Sequence, residues 1–170
     1  MMVDFLLVDG YNIIHAWDEL KKLMETNIEH ARLRLVDLMA SYQAVKGVKV
    51  IVVFDAHLVK GGSGSRENES GVEVIYTSEG ETADSLIEKM VGQLILEGRV
   101  TVATSDWAQQ RIVFGKGAVR LSARELVQEV TQMKHDVTRQ IELNNYDSRK
   151  LRGYLDDNVR EILERIRRQK

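Results

Sequence analysis

Four short runs rich in Val, Ile and Leu, at residues 3–8, 48–54, 72–76 and 100–104, are spaced so that helical patterns fill the gaps between them. This alternation constrains the fold more than any other feature of the chain. Runs that are apolar throughout, rather than at every second residue, belong to strands buried on both faces. Strands separated by helices imply an α/β fold with a central, mostly parallel sheet and helices on both sides. A fifth, weaker run lies at 118–121. Ala31, Leu35, Leu38, Met39 and Tyr42 share one face of a helix expected over 28–45, and Ala83, Leu86, Ile87, Met90, Val91, Leu94 and Ile95 recur at helical spacing. Segments 107–114 and 123–133 also read as helices, the second opened by Ser122 with Glu125 at capping-box spacing. Gly47 and Gly98 stand before the second and fourth strands as helix-ending glycines.

Two segments fall outside this pattern. The stretch "KGGSGSRENESG", residues 60–71, has the composition of a mobile loop. From residue 148 onward, Leu151, Leu155, Val159, Ile162, Leu163 and Ile166 form the apolar stripe of one or two amphipathic helices. The expected organisation is therefore one domain over 1–147 and a helical C-terminal extension over 148–170. The extension carries eight Lys/Arg against four acids, in a chain whose formal net charge is −2. With no Cys, disulfides, thiolate zinc sites and cysteine nucleophiles are excluded, which suits a reducing, cytoplasmic setting. No run approaches the ~18 apolar residues of a membrane span, and Asp4 and Asp9 interrupt the N-terminal run, so neither a membrane partner nor a secretory signal is expected.

In an open α/β sheet, ligands bind beyond the carboxyl ends of the strands. The residues that follow the strands therefore carry the functional information. Asp9 ends the first run in "LLVDGYNII", with Asn12 a turn later, and Asp55 follows the second in "VVFDAH". Asp106 follows the fourth in "VATSDW", and Asp84 opens the helix after the third in "GETADSLIE", flanked by Glu81 and Glu88. Each is open to a simple reading as turn or cap chemistry. Four carboxylates converging on one sheet edge, however, repel one another in a partly desolvated cleft. No Lys or Arg directly follows these strands, so a divalent cation, Mg²⁺ or Mn²⁺, is the economical counter-charge. Asn12, Thr104 and Ser105 are placed to orient a carboxylate or a water. Such a site suits phosphodiester hydrolysis.

The set "LLVDGYNII", "VVFDAH", "GETADSLIE" and "VATSDWAQQRIVFGKGA" resembles the YacP-like branch of the NYN domains, relatives of the PIN-domain ribonucleases, over nearly the whole chain. The resemblance implies a PIN-like three-layer fold and metal-dependent endoribonuclease activity. Its acidic site falls on Asp9, Asp84 and Asp106, with Asn12 in the "DGYN" motif, and Asp55 is a fourth candidate ligand. It also implies a role in mRNA decay coupled to translation, with RNA and the ribosome as partners. Lys60, Arg66, Arg149, Lys150, Arg165, Arg167 and Arg168 are the cations available to touch RNA or the ribosome, and Tyr11, beside the acids, is open to either stacking or packing.

Competing chemistries are poorly supported. His15, His30, His57 and His135 have no i, i+4 pairing, no P-loop is present, and "GGSGS" lacks the order of a nucleophile elbow. Trp17 and Trp107 are aromatic faces that can stack on bases, although core packing is the expected role of Trp107. Two alternatives stay open: a receiver-type domain phosphorylated on Asp55, and an inactive RNA- or ribosome-binding module.

Overall fold

The first strand of the chain is the central one. In the computed structural model, which describes residues 2–56 and 64–169, β1 (Phe5–Asp9) is buried at all five positions. It pairs in parallel with β2 (Lys49–Phe54) on one side and β5 (Val100–Ala103) on the other. Outside β2 lies parallel β4 (Val72–Tyr76) and then antiparallel β3 (Arg66–Glu69); outside β5 lies parallel β6 (Val119–Leu121). The order is β3-β4-β2-β1-β5-β6. The chain thus moves away from β1 through β2 and β4, then returns to its other side as β5. The strand order reverses between β1 and β5, which is where open sheets leave a crevice.

Helices cover both faces because the strand side chains alternate. Phe5, Leu7, Ile51, Val53, Ile75, Val100 and Val102 pack with Leu86, Ile87, Met90 and Val91 of α4 (Ala83–Leu94) and Val113 of α5 (Trp107–Gly115). Leu6, Val8, Val50, Val52 and Val74, all buried, alternate to the opposite face. On that side α3 (Ile28–Lys46) touches β2 and β4 and buries Ala31, Leu35 and Met39. Each of the larger of these side chains contributes about 1.5–3 kcal/mol when fully removed from water.

Four elements differ from the sequence expectation. Two helices, α1 (Gly10–Ala16) and α2 (Asp18–Thr26), precede α3 and were not anticipated. Of the stretch expected as a loop, residues 60–63 lie outside the described residues, whereas Arg66–Glu69 is β3. The turn explains it: Ser70 (φ 54°) and Gly71 (φ 88°) both take the positive φ of a two-residue hairpin loop, folding β3 back along the open side of β4. Gly98 does not end a helix by a left-handed turn; α4 closes at Leu94, and a Cβ on Gly98 would lie 1.8 Å from the Val3 carbonyl oxygen.

The fourth difference is α6 (Ala123–Arg168), a 46-residue helix that joins the segment expected at 123–133 to the C-terminal stripe without a break. The chain has no proline, and this helix holds a single glycine, Gly153, which costs about 1 kcal/mol, so no strong breaker stops propagation. The chain divides into two units, Met1–Val130 and Thr131–Lys170, so the expected boundary at 147/148 falls inside a continuous helix. In the second unit Leu151, Leu155, Val159, Ile162, Leu163 and Ile166 are all exposed.

Candidate active site

Asp9 is carried to the sheet edge as the last residue of β1, only 7 % exposed. Gly10 then opens α1 directly beneath it. The glycine permits close approach of the neighbouring strand, because a Cβ there would clash with the Phe54 ring and lie 3.0 Å from the Val53 carbonyl. Asp84 arrives from α4, whose N-cap Thr82 accepts the Ser85 backbone N–H at 3.1 Å and so fixes the first turn.

The two acids meet in a carboxyl–carboxylate hydrogen bond. Burial first, then the charge of Asp84 and the bond to it, push the Asp9 pKa up to about 7, with Asp106 adding a smaller like-charge contribution. Asp9 occupies the N-cap position of α1 without a side-chain capping bond of standard geometry, although the Asn12 backbone N–H lies near enough to oppose the rise. Asp84 is also raised, by burial, while the bond from Asp9 opposes that and the charges of Asp106 and Asp55 add to it. Burial and like charge thus hold both carboxyls above the ordinary range.

Asp106 has two functions at once. It is the N-cap of α5, its Oδ1 accepting the N–H groups of Ala108 (2.9 Å) and Gln109 (3.2 Å), and its charge reaches both Asp9 and Asp84. Asn12 reaches across the reversal point, where its Oδ1 accepts the Ser105 N–H (2.6 Å) and hydroxyl (2.8 Å). Thr104 is fully buried and accepts the Asp106 N–H at 3.1 Å, so it shapes the turn and does not orient a solvent water. Asp55 is half-buried, and its charge reaches Asp84 and Tyr11. Among the described residues no three His, Cys, Asp or Glu side chains gather at metal-holding distance. The donor set is a pair of carboxylates with a third nearby. That suits a hard cation, which commonly takes one or two protein carboxylates and completes its shell with water and phosphate.

The aromatic expectations are revised. Tyr11 is only 7 % exposed; its ring packs on Phe54 at 5.0 Å and its hydroxyl accepts Arg32 Nη1 at 3.1 Å, so its face is not open to a base. Trp17 is buried as well. Trp107 is the reverse of the core residue expected: it is 65 % exposed, and the Arg120 guanidinium lies 5.8 Å from its ring and 5.5 Å from that of Phe114. Arg32, Arg120 and Gln109 were not singled out from the sequence. Gln109 is buried with neither side-chain amide atom hydrogen-bonded, an unsatisfied group in the first turn of α5. Of the expected cations, Lys60 lies outside the described residues, Arg66 pairs with Glu73 at 3.4 Å, and Arg149, Lys150, Arg165, Arg167 and Arg168 are exposed on α6.

Comparison with known proteins follows the same outline. The model of the YacP-like NYN domain matches residues 6–168. The chain belongs to the YacP-like NYN domain family. It is 49 % identical over 140 residues to YacP of Bacillus subtilis (strain 168), covering 82 % of each chain. Two crystal structures of Rae1 (YacP) from Bacillus subtilis are similar. One superposes with a TM-score of 0.73 at 44 % identity, covering 98 % of this chain and 95 % of that one. The other, a tryptophan-to-leucine mutant of the same protein, gives 0.70 at 46 % identity, covering 82 % and 81 %. As a YacP-like NYN domain the chain has the PIN-like α/β fold expected and sits among proteins of nuclease type. The matched span contains Asp9, Asn12, Asp55, Asp84 and Asp106.

Proposed function

We propose that this YacP-like NYN domain is a Mg²⁺- or Mn²⁺-dependent endoribonuclease that cleaves single-stranded RNA, and that its substrate is mRNA engaged by ribosomes in the cytoplasm. The observation that carries the reading is the Asp9–Asp84 pair, two hydrogen-bonded carboxyls with raised pKa values at the reversal of strand order. Asp9 and Asp84 would hold the cation with Asp106 beside them, and Asp55 is the further acid whose charge reaches Asp84. A bound divalent cation would lower the pKa of the attacking water and offset charge on the scissile phosphate.

The protein's own residues do the rest. Burial and like charge make the fully ionised Asp9–Asp84 pair costly, which is the charge a cation would offset. Asn12 ties α1 to the turn after β5, holding Asp9 and Asp106 in fixed relation. The capping bonds of Asp106 restrict its carboxylate to one orientation. The ribosomal part of the proposal draws on the family resemblance and on the basic side chains of α6. No helix among the described residues is long and apolar enough to cross a membrane.

The test is to incubate labelled RNA with the purified protein, with and without Mn²⁺ and with and without translating ribosomes, alongside Asp9→Asn and Asp84→Asn. Cleavage should require the cation and fall by orders of magnitude in both variants while their folded spectra persist. Unchanged cleavage by both removes these acids from the site. RNA binding without cleavage under every condition would favour the inactive binding module instead.

A further inference from the structure

The α5–β6 segment carries a combination that the acidic site does not use. Trp107 and Phe114 lie seven residues apart, two turns of helix, and therefore on the same side of α5. Both rings are more than three-fifths exposed. Arg120, from edge strand β6, sets its guanidinium within 6 Å of each ring centroid. From residue 107 to 124 the chain has four cations, Arg111, Lys116, Arg120 and Arg124, and no acid, although its formal net charge is −2. This run begins at the residue next to Asp106; Lys116 pairs with Glu88 of α4 at 3.6 Å, which leaves the three arginines as its excess positive charge.

We propose that Trp107 and Arg120 form a platform on which a base of single-stranded RNA stacks, seating its neighbouring phosphate at the acidic site. Any base offers a π face, so an exposed indole binds single strands without reading their sequence. An Arg over aromatic rings adds a positive charge that a phosphate approaching three or more carboxylates otherwise lacks. Trp107 is the residue after Asp106, so a strand held on its ring passes close to the turn that carries that acid. Core packing does not account for the pair, since most of each ring faces solvent. Duplex RNA cannot use the platform because its bases are already stacked on one another. The occupant class rests on the nuclease reading; the exposed rings and the charge of the segment do not.

The chain supplies its own reporter. It has two tryptophans, Trp17 buried and Trp107 exposed, so a base stacking on Trp107 quenches the solvent-exposed part of the emission and leaves the Trp17 part unchanged. The experiment titrates the full chain, in EDTA at low salt to prevent cleavage, with a short single-stranded oligoribonucleotide, an abasic strand of equal phosphate count, and a duplex. The single strand should quench, and the other two should not. Trp107→Ala should weaken binding of the single strand about tenfold or more. Trp107→Phe should restore most of that affinity, with emission that RNA no longer alters. Arg120→Gln should weaken binding and lower its salt dependence, with Arg120→Lys intermediate.

Equal quenching by the abasic strand overturns the proposal, as does parental affinity in Trp107→Ala. RNA that leaves the parent's emission unchanged also overturns it. The two readings fail separately. A parent that is quenched but cuts nothing with Mn²⁺ supports the platform and refutes the nuclease, whereas one that cuts RNA without any change in emission does the opposite.

Discussion

The side-chain oxygen of Asn12 accepts two hydrogen bonds from Ser105, one from its backbone N–H at 2.6 Å and one from its hydroxyl at 2.8 Å, across 93 positions of sequence. Through this pair the two strands at the reversal of strand order share one anchor, and the acids that follow them cannot move independently. Asn12→Ala removes both bonds, whereas Ser105→Ala removes only the hydroxyl bond. We expect Asn12→Ala to lose about 1 kcal/mol in urea denaturation and to cleave RNA at least tenfold more slowly, with Ser105→Ala milder on both measures. Equal effects of the two variants would assign the anchor to the hydroxyl alone.

The proton on Asp9 makes stability depend on pH. Its folded pKa, about 7, lies above the ordinary 3.8, so between those values the folded chain holds a proton that the unfolded chain has released. Stability is therefore fully present below the lower value and falls as pH rises through the window, by roughly 4 kcal/mol at most from a shift of that size. In EDTA the melting temperature should fall between pH 5 and 8, and Asp9→Asn should flatten that slope and melt higher than the parent at pH 8. Added Mn²⁺ should reverse the parent's slope, because it favours the charged pair. A parent whose melting temperature is level across this range in EDTA would contradict the assignment.

Gly10 is the position where the smallest change should do most damage. A methyl group there meets the Phe54 ring at 2.4 Å, and that ring is itself held between Tyr11 and Tyr76. Gly10→Ala should destabilise by about 1–3 kcal/mol, the usual cost of overpacking, by displacing β1 from β2. Gly92→Ala in α4, where nothing lies within 4 Å of the added carbon, serves as the control and should match or exceed the parent in stability.

The sheet and its acids were legible because buried parallel strands announce themselves as unbroken apolar runs, and because each acid stands at the end of such a run or opens the helix that follows one. Asp9 and Asp84 lie next to each other at the sheet edge. What the sequence concealed has physical causes. Arg66–Glu69 is polar in composition, and only the backbone angles of Ser70 and Gly71 make it a strand. Exposure of Trp107 was unreadable because helical periodicity does not identify which side of an edge helix meets solvent. Arg32 reaches the Tyr11 hydroxyl from 21 residues away, a contact that no local spacing encodes. The signal that was present and passed over is charge: the run from 107 to 124 has no acid.

The basic end of α6 gives a prediction of another kind. If Arg165, Arg167 and Arg168 touch ribosomal RNA phosphates, changing all three to Gln should weaken co-sedimentation with ribosomes. It should also reduce the slope of log affinity against log salt by about 3, near one unit for each phosphate no longer neutralised. Cleavage of free RNA should be unaffected. Sedimentation equal to the parent's at every salt concentration would move the ribosome-binding surface elsewhere.

The hairpin that adds β3 also determines how the sheet ends. The outermost strand on that side is four residues long, three of them charged, and the opposite edge, β6, is only three residues long. Short charged edges give an incoming strand little to pair with, which protects a sheet against edge-to-edge aggregation. Glu69 is the weak point of this protection, since burial and then the neighbouring Glu67 raise its pKa above the usual range. Mild acid discharges it before ordinary surface glutamates, so the protein's colloidal stability should decline from this edge first as pH falls.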